Sequence, residues 1–242
     1  MIPILGIVFD LDDTLYDQRS PFAEAINAQF PAFPENEMTS LFLRFRYYSD
    51  LHYMKSITGE WTLTKMRVER IRLALADFDF IPQEDRLEAF QASYDRALQT
   101  IRLPSEVISS LNFLTQQTDL SLGIITNGPV ERQKDKITAL QLTRWIGPER
   151  IIISDAVQIQ KPDPEIFHLM EKRLNIAPES LLYIGDSFDN DVVGAKAADW
   201  SVWWFNHQGR DIPNGQTTIF DKEITSFDEL RRMLTTKKSL QR

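Results

Sequence analysis

The sequence predicts an α/β fold, a doubly wound parallel sheet with an inserted α-helical domain, and three observations lead there. Residues 4–9 form a short Ile/Val-rich run, the pattern of a strand covered on both faces, and the run ends in Asp10-Leu11-Asp12-Asp13-Thr14. From residue 101 onward, short apolar runs alternate with segments of helical period. The stretch between them is helical in period and almost without strand pattern. Strands that alternate with helices pair in parallel through right-handed crossovers, so the first strand and the later alternation build one sheet. The expected division is a core of residues 1–16 and 101–242 and a helical domain of residues 17–100.

Taken in order, the helical stretch divides at Pro31, Pro34, Gly59 and Pro82 into helices over 20–30, 35–55, 60–77 and 83–100. Pro104 opens a helix to residue 117, followed by a strand at 120–125, a helix at 130–140 and a strand at 150–154. Pro164 suits a first helical turn, which needs no N–H from it, and starts a helix to Asn175. A strand at 181–184, a helix at 189–198, a strand at 201–205 and a helix at 226–234 complete the alternation. Residues 235–242 read as a frayed tail. The helical insertion begins just past the acidic turn and is expected to act as a lid.

Composition narrows the function. A chain of 242 residues, 43% of them hydrophobic, has ample apolar material for a packed core. Its net charge of −8, with no basic run longer than Lys237-Lys238, argues against a nucleic-acid polymer as partner. Without cysteine there is no disulfide, no thiolate nucleophile and no Cys-built zinc site, which fits a reducing compartment. The apolar start is too short for a membrane span and lacks Lys or Arg before Arg19, so the expectation is a soluble cytoplasmic protein with no membrane partner.

Four polar clusters follow strands: Asp10 to Thr14, Thr126-Asn127-Gly128, Lys161, and Gly185-Asp186-Ser187-Phe188-Asp189-Asn190-Asp191. A parallel sheet brings all these strand ends to one edge, where ligands of such folds bind. The inventory suits phosphoryl transfer to or from a small phosphorylated metabolite. Asp10 and Asp186 offer hard oxygen ligands for Mg²⁺, Thr126 a hydroxyl, Asn127 and Gly128 backbone N–H groups, and Lys161 a fixed positive charge. A calcium-binding EF-hand loop fails on spacing. Counting from Asp10, Leu15 and Pro21 stand where glycine and glutamate are needed, and counting from Asp189, Trp200 replaces the glutamate. No Gly-x-Ser-x-Gly exists to build a hydrolase triad.

On these residues the chain resembles the haloacid dehalogenase-like (HAD) phosphatase superfamily. Its Asp-x-Asp-x-Thr pattern is met by Asp10, Asp12 and Thr14, its strand-end hydroxyl by Thr126, its lysine by Lys161-Pro162-Asp163-Pro164, and its acidic fourth motif by Gly185, Asp186 and Asp191. The insertion is similar to the C1-type helical cap of subfamily IA, and the resemblance implies a Rossmann-like catalytic core. It implies that Asp10 is the nucleophile forming an aspartyl-phosphate, with its other oxygen on Mg²⁺. Asp12 is implied as general acid and base, its backbone carbonyl also on the metal. Asp186 resembles the direct metal ligand, and Asp191 the carboxylate that orients water or Lys161. Asp13 is expected only to shape the loop.

The same resemblance weighs the rivals. A haloacid dehalogenase ordinarily lacks the second aspartate, here Asp12. A phosphomutase shares all four motifs. A receiver module of signalling proteins, which binds Mg²⁺ with Asp, Thr and Lys, carries its phosphoacceptor on a middle strand and has no such insertion. Thr126-Asn127-Gly128 followed by Gln133 and Lys136, Trp203-Trp204-Phe205-Asn206-His207, and Ser226-Phe227-Asp228-Glu229-Leu230 resemble nucleoside-monophosphate phosphatases, implying a 5′-nucleotidase. Sugar-phosphate phosphatases share much of this. Gln158 departs from the glycine that relatives often carry before the lysine. His168 is expected on a helix surface, and His207 facing the active edge. Of Arg44, Arg46, Tyr47, Tyr48, His52, Tyr53 and Trp61, the apolar members are expected in the core of the helical domain.

Overall fold

Strands β1 (Gly6–Phe9), β2 (Ser121–Thr126), β3 (Ile151–Ile153), β4 (Leu181–Gly185), β5 (Ser201–Phe205) and β6 (Lys222–Ile224) pair in parallel throughout, in the order β3-β2-β1-β4-β5-β6. This is the α/β, doubly wound, Rossmann-like sheet that the alternation predicts. The computed structural model describes residues 2–117, 120–213 and 217–236. It divides into two compact units, Met1–Asp17 with Arg102–Arg242, and Gln18–Ile101. Helices α1 (Arg19–Gln29), α2 (Met38–Ile57), α3 (Leu63–Ala76) and α4 (Glu84–Gln99) belong to the second unit. The first holds α5 (Ser105–Leu114), α6 (Val130–Ala139), α7 (Ser154–Val157), α8 (Pro164–Leu174), α9 (Val193–Ala197) and α10 (Phe227–Leu234).

β1 is buried along its length because it pairs with β2 on one side and β4 on the other. The chain winds outward from β1 through β2 to β3, then returns across β1 and winds the other way from β4 to β6. The reversal falls between β1 and β4, and a crevice opens beyond the carboxyl ends of strands at such a switch point. Asp10 and Asp186 are the residues that immediately follow those two strands.

Val8, Ile125, Tyr183, Val202 and Trp204 of the sheet pack with Phe167 and Met170 of α8 and with Trp200. α8 starts where expected: Asp163 caps it by accepting from the Glu165 N–H, and Asn175 ends it in the left-handed conformation. Three local features differ from the sequence reading. β6 has three residues with one buried, too short and polar to show strand alternation. α7 is a single turn ended by Gln158 at φ 56°. Glycine adopts that left-handed conformation at no steric cost, and Gln158 holds it here with its side-chain amide donating to the Asp155 carbonyl at 2.6 Å. The helix expected over 189–198 opens with a π turn, Phe188–Val192, before α9. Ser187 drives this, since its Oγ accepts from the Asn190 N–H while its own N–H donates to Asp191.

In the second unit α1 packs on α4 and α2 on α3. Phe22 sits in an aromatic cluster, its ring centroid 4.8 Å from Phe45, 5.4 Å from Phe42 and 5.7 Å from Phe90. Met38, Leu41, Phe42 and Phe45 are buried at helical spacing on one face of α2. Tyr47 and Tyr53 are exposed, contrary to expectation. Tyr47 is two residues past Phe45, which turns it about 200° around the helix from the buried face. No described helix is long and apolar enough to cross a membrane. Of the expected frayed tail, residues 237–242 lie outside the described residues.

Candidate active site

Asp10 leaves β1 with its N–H bonded to the Ile184 carbonyl at 2.9 Å, so β4 fixes its backbone. Its carboxylate is buried and accepts from Lys161 Nζ at 2.6 Å. Lys161, 3% exposed, also donates to Asp191 Oδ1 at 2.7 Å and to the Tyr183 hydroxyl at 3.0 Å. Asn127 fixes the lysine's backbone at two points, accepting from the Lys161 N–H and donating to the Lys161 carbonyl, each at 3.0 Å. Asp191 is tied to its own loop by the Ser187 N–H at 2.9 Å. Gly185 leaves room for it, since a Cβ there would overlap the Asp191 carboxyl.

One carboxylate oxygen from each of Asp10, Asp186 and Asp191 lies within 4.8 Å of the others. Three converging carboxylates are a donor set that fits a hard divalent cation. Burial pushes the Asp10 carboxyl well above the usual range, and Asp191, Asp186 and Asp12 add to this against the opposing charge of Lys161. Burial opposes the charge on Lys161, but Asp10 and Asp191 outweigh it and hold the ammonium protonated.

Asp12 is turned to a different set of partners. Lys136 Nζ donates to both its oxygens at 2.7 Å, the Tyr16 hydroxyl donates at 2.6 Å, and Gln133 Nε2 donates at 3.0 Å. Burial works against its charge, yet Lys136, Tyr16 and Gln133 together hold the carboxyl well below the usual range. Gln133 and Lys136 stand three residues apart on α6, hence on one face. Gln133 also donates to Thr126 Oγ1 and to the Asn127 carbonyl. Thr126 is fully buried, and the Gly128 N–H donates to Ser154 Oγ at 3.0 Å.

On the other flank, Asp186 Oδ2 accepts from Arg210 Nη1 at 2.8 Å, and Arg210 Nη2 lies 3.7 Å from Asp13 Oδ2. Asp13 adopts φ 58° in the turn, so it shapes the loop and also faces a cation. His207 donates from Nε2 to the Asp13 carbonyl at 3.0 Å and stacks on Phe205. His168 pairs with Glu171 on the surface of α8. Sequence reasoning gave no site role to Lys136, Gln133, Tyr16 or Arg210. For the first two, the available signal was a Gln and a Lys three apart on the helix that follows β2.

A family model described as haloacid dehalogenase-like hydrolase matches residues 4–199. A phosphoglycolate phosphatase of Escherichia coli O157:H7 is 30% identical over 210 residues, covering 81% of this chain and 78% of that protein. A glyceraldehyde 3-phosphate phosphatase of Methanopyrus kandleri is 26% identical over 196 residues, covering 81% of each chain. Among solved structures, the magnesium-bound HAD-hydrolase YfnB of Bacillus subtilis superposes with a TM-score of 0.68 at 22% identity, covering 97% of this chain and 100% of that one.

Proposed function

The chain belongs to the haloacid dehalogenase-like hydrolase family, and from that premise we propose that it is a Mg²⁺-dependent phosphatase that hydrolyses a small phosphomonoester through an aspartyl-phosphate on Asp10. The observation that carries this reading is the meeting of Asp10, Lys161, Asp186 and Asp191 at the switch point of the sheet. Mg²⁺ would be held by the carboxylates of Asp10, Asp186 and Asp191 and by the Asp12 carbonyl, and when bound it supplies charge that lets an anionic carboxylate approach an anionic phosphate.

In the first step an Asp10 oxygen bonds to phosphorus, the ester P–O bond breaks, and Asp12 gives its proton to the leaving oxygen. In the second, water bonds to phosphorus, Asp12 takes its proton, and the acyl-phosphate P–O bond breaks to restore Asp10. Lys136 favours the ionised Asp12 that the second step needs. An anionic phosphate drawing on the same ammonium relaxes that hold, so that Asp12 can carry the proton of the first step. Lys161 balances the charge of the transferring group, with Thr126, Asn127 and Gly128 as the remaining proposed phosphate-binding positions. The Asn127 clamp supports a fixed loop around Lys161, whereas the Gly128 N–H is given to Ser154 Oγ and a phosphate would take it only by displacing that hydroxyl.

The finer substrate reading, a nucleoside 5′-monophosphate, rests on the sequence resemblance. The names of the two phosphatase relatives support only the broader class of small phosphorylated metabolites. A cytoplasmic setting is part of the proposal, supported by the cysteine-free composition. The test is phosphate release from a panel of nucleotides, sugar phosphates, phosphoglycolate and glyceraldehyde 3-phosphate, with and without Mg²⁺. Preferred turnover of a nucleotide, lost in Asp10→Asn, supports the whole reading. Preference for another panel member overturns its finer part, and no release from any ester overturns it entirely.

A further inference from the structure

We propose that Arg210 is a built-in counter-cation of the acidic cluster, a positioning residue that weakens the hold of the site on a divalent ion. The inference rests on the metal reading above. Each acid of the site faces a cation: Asp10 and Asp191 share Lys161, Asp12 has Lys136, and Asp186 with Asp13 has Arg210. The two lysines are buried, whereas Arg210 reaches in from a loop with 30% of its side chain exposed.

The loop is built to present it. Asn206 accepts from the Arg210 N–H and donates to the Arg210 carbonyl, both at 2.8 Å. Asn206 is in turn fixed to β6, through the Ile224 carbonyl at 2.7 Å and Glu223 Oε1 at 2.7 Å. The edge strand thus anchors the turn that carries the guanidinium. Across from it, Trp204 Nε1 holds the Asp186 carbonyl at 2.8 Å, so the Asp186 carboxylate rather than its backbone is the part able to respond.

A guanidinium stays charged at every working pH. A divalent ion that enters among Asp10, Asp186 and Asp191 must share Asp186 with that fixed charge, and like charges repel. Removing the guanidinium therefore strengthens cation binding while leaving the cluster, in metal-free solution, short of one counter-charge.

The test is calorimetric titration of Mg²⁺ alone into the full chain, with melting curves recorded with and without the ion. Arg210→Gln should bind Mg²⁺ about tenfold more tightly than wild type, the scale of one charge-assisted contact. It should melt lower than wild type without metal and recover at saturating Mg²⁺, while Arg210→Lys stays near wild type. Asn206→Ala, which frees the loop but keeps the charge, should tighten binding in the same direction. Unchanged or weaker affinity in both Arg210→Gln and Asn206→Ala overturns the proposal. If wild type shows no Mg²⁺ binding that Asp186→Asn abolishes, the metal reading itself fails, and this inference falls with it.

Discussion

Lys161 holds two buried carboxylates at 2.6 and 2.7 Å, and its side chain is only 3% exposed. Removing one partner from such a group leaves uncompensated charge in a medium that solvates it poorly. Lys161→Met should therefore cost about 3–5 kcal/mol of stability, read by urea unfolding. Gly185 gives a second prediction at this scale. Gly185→Ala forces the Asp191 carboxyl aside, and misplacing a site group by about 1 Å should lower turnover on the order of a hundredfold. Acids just past β1 and β4 and a lysine before the Pro-started α8 singled out Asp10, Asp12, Lys161, Asp186 and Asp191 in the sequence, although Lys161 follows α7 rather than a strand and Asp191 lies in the π turn. Tyr16 and Arg210 were not legible there, and Lys136 was visible only as part of a family likeness, because the roles of all three exist only through the partners that folding brings to them.

The elements with strong local chemistry are the ones the sequence announced. α8 carries Pro164 at its start, an Asp cap before it and an Asn after it, and its bounds match. α10 is capped by Ser226 Oγ, which accepts from the Glu229 N–H at 3.2 Å. Ser226→Ala should cost about 1 kcal/mol, seen as a fall of about 2–4 °C in melting temperature for a chain of this size. Glu229 accepts from the Thr225 N–H at 2.9 Å, and this bond lowers its carboxyl from the ordinary value. A carboxyl depressed in the folded state stabilises above its unfolded pKa and loses that contribution as pH falls through the folded one. The melting difference between wild type and Glu229→Gln should thus be present at neutral pH and shrink as acid is added. β6, α7 and the π turn escaped sequence reading for a common reason. Each is three to five residues long and is held by tertiary or side-chain bonds rather than by periodicity.

At the scale of the molecule, the alternation after residue 101 was enough to read a parallel sheet, but not its strand order. That order sets the switch point between β1 and β4, and so explains why Asp10 and Asp186, which are remote in sequence, stand together. The helical unit was legible as helices, and its aromatic core only partly, since Tyr47 and Tyr53 point outward. The proposed chemistry passes through a covalent phosphoryl group on one named side chain, and the most direct test is to look for it there. Enzyme quenched in acid during turnover of its best phosphomonoester, then digested and weighed by mass spectrometry, should carry one phosphoryl group on the peptide that holds Asp10. The group should be absent in Asp10→Asn. Rapid turnover with that peptide unmodified, or a phosphoryl group found on any other residue, would contradict the account.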